Sequence, residues 1–183
     1  MPSRLLLAVA LLTLTACTPA PAPTPPPQPT PRWTLEEQTA VTAATTQYAK
    51  SRAAYAAALQ HPTTATRATL EAAGMSGSWL DSAVEHADYF RTHKIRRTGA
   101  SKILSTDPLW VSLSDPTPAV VLKTCLDDSP VTEHDPAEKT PFTTTRHRLV
   151  EARLLHLPTG WSLTAESPSP DTAQPPPPGH PTC

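Results

Sequence analysis

The 183-residue chain is predicted to be an α+β protein in which N-terminal helices pack on a bent antiparallel sheet. Two textures carry that reading. From Thr34 to about Arg91, apolar residues recur at helical spacing behind capping signals; after Arg97, runs rich in valine, leucine and threonine alternate with Asp-Pro and Pro-Thr-Gly breaks. Those breaks are mostly short, and short connections make successive strands antiparallel neighbours.

Thr34 and Glu37 have the spacing of a capping box, which starts the first helix at residue 35. Val41, Ala44, Tyr48, Ser51, Tyr55 and Leu59 then fall on one stripe until Pro62 stops the pattern, giving helix 35–60 with an alanine-rich opposite face expected to bury little. A short second helix is expected at 64–73 around Leu70, closed by Gly74 and Gly77. Ser78 and Asp81 form another capping box for a helix at 79–92, whose Trp79, Ala83, Ala87 and Phe90 share a face. Strands are expected at 98–105, 109–113, 119–126, 143–157 and 161–166. They are separated by Asp107-Pro108, Asp115-Pro116-Thr117-Pro118, a charged loop at 127–141, and Pro158-Thr159-Gly160. The run 143–157 would reach about 50 Å if fully extended, so it should bend or bulge.

The ends have a different composition. Residues 1–16 carry one basic side chain, Arg4, and a run from Leu5 to Leu14 that is apolar except for Thr13. That run is too short to cross roughly 30 Å of hydrocarbon but suits the core of an export signal. Leu14-Thr15-Ala16-Cys17 resembles a lipobox, which implies removal of 1–16 and lipidation of Cys17, with acyl chains of the palmitate kind holding the protein at the extracytoplasmic face of the cell membrane. Residues 17–32 then form a proline-rich spacer. Its 14 residues from Thr18 to Pro31 favour polyproline II and could hold a domain up to about 40 Å from the anchor. The body is 33–167, and 168–183, with Pro175 to Pro178, is expected to be a disordered or extended tail.

The helices followed by strands resemble the NTF2-like, or SnoaL-like, α+β cone, and more narrowly small actinobacterial lipoproteins with such a domain. The matching pieces are Tyr48 and Tyr55 on the first helix, the strand Val120 to Asp127, the strand Arg146 to Ala152, and Gly160-Trp161-Ser162-Leu163. The resemblance implies a concave sheet roofed by helices, with Tyr48, Tyr55, Trp79 and Trp110 as candidates to line or fill its cavity. An ordinary helix-packed α+β sandwich has the same order of elements. In related cyclases, isomerases and dehydratases a carboxylate–histidine pair inside the cone does acid–base work. The residue types for such a pair are Asp127 and Asp128 with His86, Asp88, His147 or Glu151. Asp127 and Asp128 open a polar loop, and His86 and Asp88 do not share a helical face, so no catalytic residue is assigned.

No metal-ligand spacing, phosphate-binding glycine loop or nucleophile elbow is present in the sequence, and neither metal nor cofactor is expected. Without the leader, 14 Lys/Arg face 16 Asp/Glu, a formal charge near −2 that gives no argument for nucleic acid. The short basic run Lys94, Arg96 and Arg97 reads as a solvated face or a contact for anionic headgroups or cell-envelope polymer. With Cys17 assigned to the anchor, Cys125 and Cys183 remain. In an oxidising compartment they can pair with each other; Cys125 can equally be a buried thiol and Cys183 a link to another chain. The expected function is that of a noncatalytic, membrane-tethered binding or assembly module, with an envelope protein or a small hydrophobic ligand as its partner. The alternative is a small SnoaL-like enzyme acting on a hydrophobic substrate.

Overall fold

The computed structural model describes residues 32–138, 140–143, 147–170 and 183. The leader, Cys17, the spacer to Pro31 and tail residues 171–182 lie outside them. Three helices come first: α1 (Leu35–Gln60), α2 (Arg67–Ala72) and α3 (Gly77–His93). α1 starts where the capping box places it, with the Thr34 amide donating to Glu37 Oε2 at 2.8 Å and the Glu37 amide donating to Thr34 Oγ1 at 3.2 Å. Its buried face runs through Ala40, Ala44, Tyr48, Ser51, Arg52, Ala56, Ala58 and Leu59. Alanines therefore belong to the packed face, where small side chains let the helix lie close to its neighbours, and not only to the solvent face. The Ser78–Asp81 capping box does not form. Ser76 occupies the cap position of α3, Ser78 Oγ donates to Thr164 O at 3.2 Å, and Asp81 pairs with Arg67 at 2.6 Å.

After the short strand β1 (Arg96–Thr98), the strands β2 (Lys102–Ser112), β3 (Ala119–Asp127), β6 (His147–Leu157) and β7 (Gly160–Pro168) form the main sheet, antiparallel throughout and in the order β2-β3-β6-β7. β2 runs straight through Asp107-Pro108, where a break was expected. It is an edge strand with a register shift between Pro108 and Trp110, and proline, lacking an amide donor, is tolerated at an edge or a bulge. The opposite edge, β7, is covered: the Ser76 amide donates to Leu163 O and the Leu163 amide to Gly74 O, both at 2.9 Å. Gly74, at φ +79°, makes the turn into this contact, and a β-carbon there would run into the Gln47 side chain.

A second sheet, β1-β4-β5, joins β1 to β4 (Thr132–His134) and β5 (Phe142–Thr143). The charged loop 127–141 thus contains a strand. Three residues such as Thr132-Glu133-His134 are too few, and too polar, to leave a periodic signal. The run 143–157 is likewise two elements, because Phe142–Thr143 pair in the second sheet and His147 opens β6 in the main one.

α1 lies on the inner face of the main sheet. Ala40, Ala44 and Tyr48 pack against Val111, Val120, Leu122, Ala152, Leu154 and Leu163. Smaller apolar clusters join α2 to α3 through Leu70, Met75, Leu80 and Ala83, and the ends of α1 and α3 through Leu59, Ala87, Phe90 and Ile95. The sheet continues past the expected boundary: Pro168 ends β7, and buried Ser169 donates its amide to Leu149 O at 2.9 Å and its hydroxyl to Glu151 at 2.9 Å.

Candidate functional site

The inner face changes character along its length. Even-numbered residues of β3 and β6 point to α1, so after apolar Val120, Leu122, Ala152 and Leu154 come Thr124 and Arg148. On β7 strict alternation would send Glu166 outward if Leu163 points in. The register shift beside Arg153 accommodates Thr164 as an extra residue, which re-aims Glu166 inward opposite Ala152. Tyr48 and Arg52, one turn apart on α1, meet it there.

Glu166 accepts from Tyr48 Oη at 2.9 Å and from Arg52 Nη1 at 3.1 Å, with Arg148 Nη1 at 3.6 Å. Arg148 Nε also donates to Asp128 at 2.5 Å, and Arg97 pairs with Glu133 at 2.6 Å. Burial first, and then the Glu166 charge, push the Tyr48 phenol far above its ordinary range, so it stays a donor. Arg52 also stacks over the rings of Tyr55 and Trp79 at 5.5 and 5.9 Å. Tyr48, Arg52 and Glu166 are thus buried and paired with one another on the inner face of the sheet.

Outside that network lies a groove along α3. One hollow of about 350 Å³ is lined by Tyr55, Trp79, Ala83, Glu85, His86 and Tyr89. A second, of about 400 Å³, shares His86 and Tyr89 and continues past Phe90 and Glu133 to Phe142. Tyr89 is 48% exposed and Phe142 65%. Tyr55 Oη lies 2.5 Å from His86 Nδ1. Burial raises the Tyr55 phenol and lowers the His86 imidazole, so the pair is held as a phenol donating to a neutral ring. A third, more polar cleft of about 640 Å³ lies between α2, α3 and the β6–β7 turn, next to Lys50, Arg67 and Trp161.

Of the four aromatic candidates, the structure brings Tyr55 and Trp79 together, with ring centroids 5.3 Å apart. Tyr48 is fully buried beneath them and borders none of these hollows. Trp110 is elsewhere: it pairs with Val121 on edge strand β2, is 44% exposed, and faces a hollow by the start of α1. The acid–base candidates are dispersed. Asp128 is with Arg148, Asp88 with Arg91 at 2.8 Å, Glu151 with Ser169, and His86 with Tyr55. Asp127 and His147 are cross-strand neighbours 3.9 Å apart, and hydrogen bonds from Ser129 hold the Asp127 carboxyl below its usual range. Among the described residues no His/Cys/Asp/Glu group is placed to hold a metal ion. Cys125 is bonded to Cys183, which ties residue 183 to β3.

The sequence pattern does not mark Arg52, Arg148, Glu166, Tyr89 or Phe142 as site residues. Arg52 had a signal, a charge four residues beyond Tyr48 on an otherwise apolar stripe. Glu166 had none, because its direction depends on a bulge.

The chain matches no protein-family model and no curated protein sequence. Among solved structures it is similar to the intermembrane space region of the chloroplast protein ARC6, with a TM-score of 0.53 at 15% identity over 70% of this chain and 95% of that one. The likeness is one of fold: N-terminal helices packed on antiparallel sheets, an α+β arrangement that accommodates a cone.

Proposed function

We propose that this chain is a noncatalytic binding module of the NTF2-like kind, held by a lipidated Cys17 at the extracytoplasmic face of the cell membrane, and that it binds an envelope protein or small hydrophobic ligand in the groove along α3. The observation that carries the reading is the pair of adjoining hollows that meet at His86 and Tyr89 and leave Tyr89 and Phe142 uncovered. Uncovered aromatic surface beside a preformed hollow is the usual character of a binding site. The leader and the proline-rich spacer support the tethered placement. A photoreactive residue at Tyr89 should crosslink a discrete species in intact cells, whereas one at Trp110 should not. Equal yields from both positions, or none from Tyr89, would count against the groove. Mass analysis of the mature amino terminus tests the anchor separately, since an unmodified Cys17 would remove it.

A SnoaL-like enzyme is the second reading, favoured by one observation, the inward Glu166 carboxylate within 2.9 Å of Tyr48 Oη. Against it, Glu166, Tyr48 and Arg52 border none of the hollows described above, and the Glu166 side chain is 3% exposed.

A further inference from the structure

We infer that the occupant of the α3 groove is an extended peptide segment of a partner protein in which lysine or arginine alternates with apolar residues; this rests on the binding reading above. The groove is aromatic on its floor and acidic on its walls. Trp79, Tyr55 and Tyr89 line the first hollow with Glu85, and Phe90 and Phe142 line the second with Asp135, Glu138 and a Glu133 whose charge is already matched by Arg97. Among the described residues neither hollow is lined by a lysine or an arginine, and Glu85 and Glu138 have no ion-pair partner.

Aromatic faces attract cations through the ring quadrupole, and carboxylates beside them add charge complementarity. Tyr55 and Trp79 already take a guanidinium, that of Arg52, from the interior side. The same acids would repel an anionic lipid surface or a nucleic acid. Length favours a peptide over a lone amine: Trp79 and Tyr89 are ten residues apart on α3, roughly 15 Å at 1.5 Å per residue, which matches four to five residues of extended chain at about 3.3 Å each.

The test is calorimetric titration of the whole exported chain, from position 17 with Cys17→Ser to exclude lipid, with three octapeptides. One alternates lysine with leucine, the second has glutamine for lysine, and the third has glutamate. The lysine peptide should bind about 10-fold tighter than the glutamate peptide, as expected from several exposed charge pairs acting together. Glu85→Gln and Glu138→Gln should each weaken the lysine peptide about 2- to 5-fold and leave the glutamine peptide unchanged, while Tyr89→Ala should weaken all that bind. Equal binding of the three peptides with the Tyr89→Ala loss intact overturns the cationic occupant and leaves the groove reading standing. No binding by any peptide overturns both. Lysine-peptide binding indifferent to the glutamate variants places the contact elsewhere and also overturns the inference.

Discussion

Replacing Glu166 with glutamine removes the one charge that the interior network is built around, and its cost can be worked from the structure. Glu166 is 3% exposed at its side chain and Arg52 7%, so their 3.1 Å pair is out of water on both sides. Arg148 is 37% exposed and holds Asp128 as well, so it loses little when Glu166 is neutralised. Glutamine keeps an acceptor for Tyr48 Oη but leaves the Arg52 guanidinium buried without its carboxylate. Breaking a buried pair from one side costs about 3–5 kcal/mol, whereas a solvated pair costs about 0–1. For a body near 140 residues the larger figure corresponds to a fall in Tm of roughly 10–20 °C. Urea unfolding followed by circular dichroism, under oxidising conditions, measures it. The double replacement Arg52→Met with Glu166→Leu should recover most of the loss, because two apolar side chains carry no stranded charge. A loss below about 1 kcal/mol for Glu166→Gln would mean that water reaches the pair, and the buried pairing argued from the structure would be wrong.

Three other outcomes follow from separate parts of the molecule. Cys125→Ser should cost about 2–4 kcal/mol in urea unfolding, because the Cys125–Cys183 bond closes a 58-residue separation, and the variant should no longer respond to reductant; free thiols at both positions in the exported protein would contradict the bond. Burial holds the His86 pKa below its ordinary 6.5, so the unfolded chain binds the proton first as pH falls. Stability should therefore be unaffected by His86 above that value and decline as pH drops from 6.5 through the lower folded value, with a shallower decline in His86→Asn. Thr34→Ala should cost about 1 kcal/mol through loss of the capping box, read as a lower urea midpoint at unchanged slope.

The parts of this fold that are legible in the sequence are those with local causes. Thr34 and Glu37 start α1 because both halves of the capping box are three residues apart, and Pro62 ends the pattern within two residues of Gln60. β3 reads correctly because Val120 to Leu126 is a dense apolar run in a central strand. The errors have tertiary causes. Pro108 breaks a central strand but not an edge, and nothing local says that β2 is the edge. Ser78 and Asp81 have capping spacing, yet Thr164 O and Arg67 claim their side chains from other elements. Tyr55 and Trp79 could be picked as aromatics on helical faces that converge, but the groove itself could not, since its other walls come from β4 and β5, elements too short to predict. Trp110 has the same residue type as Trp79 and a different face of a different element, which composition cannot distinguish.

The four tryptophans give the most direct test of the binding claim, because each reports a different place: Trp33 before α1, Trp79 in the α3 groove, Trp110 on edge strand β2 and Trp161 in the polar cleft beside α2. With 5-fluorotryptophan incorporated throughout the exported chain, four fluorine resonances can be followed as the lysine–leucine octapeptide is added. The Trp79 resonance should move saturably while the other three hold their positions. Movement of Trp110 or Trp161 with Trp79 unchanged would contradict the claim and place the binding surface on another face.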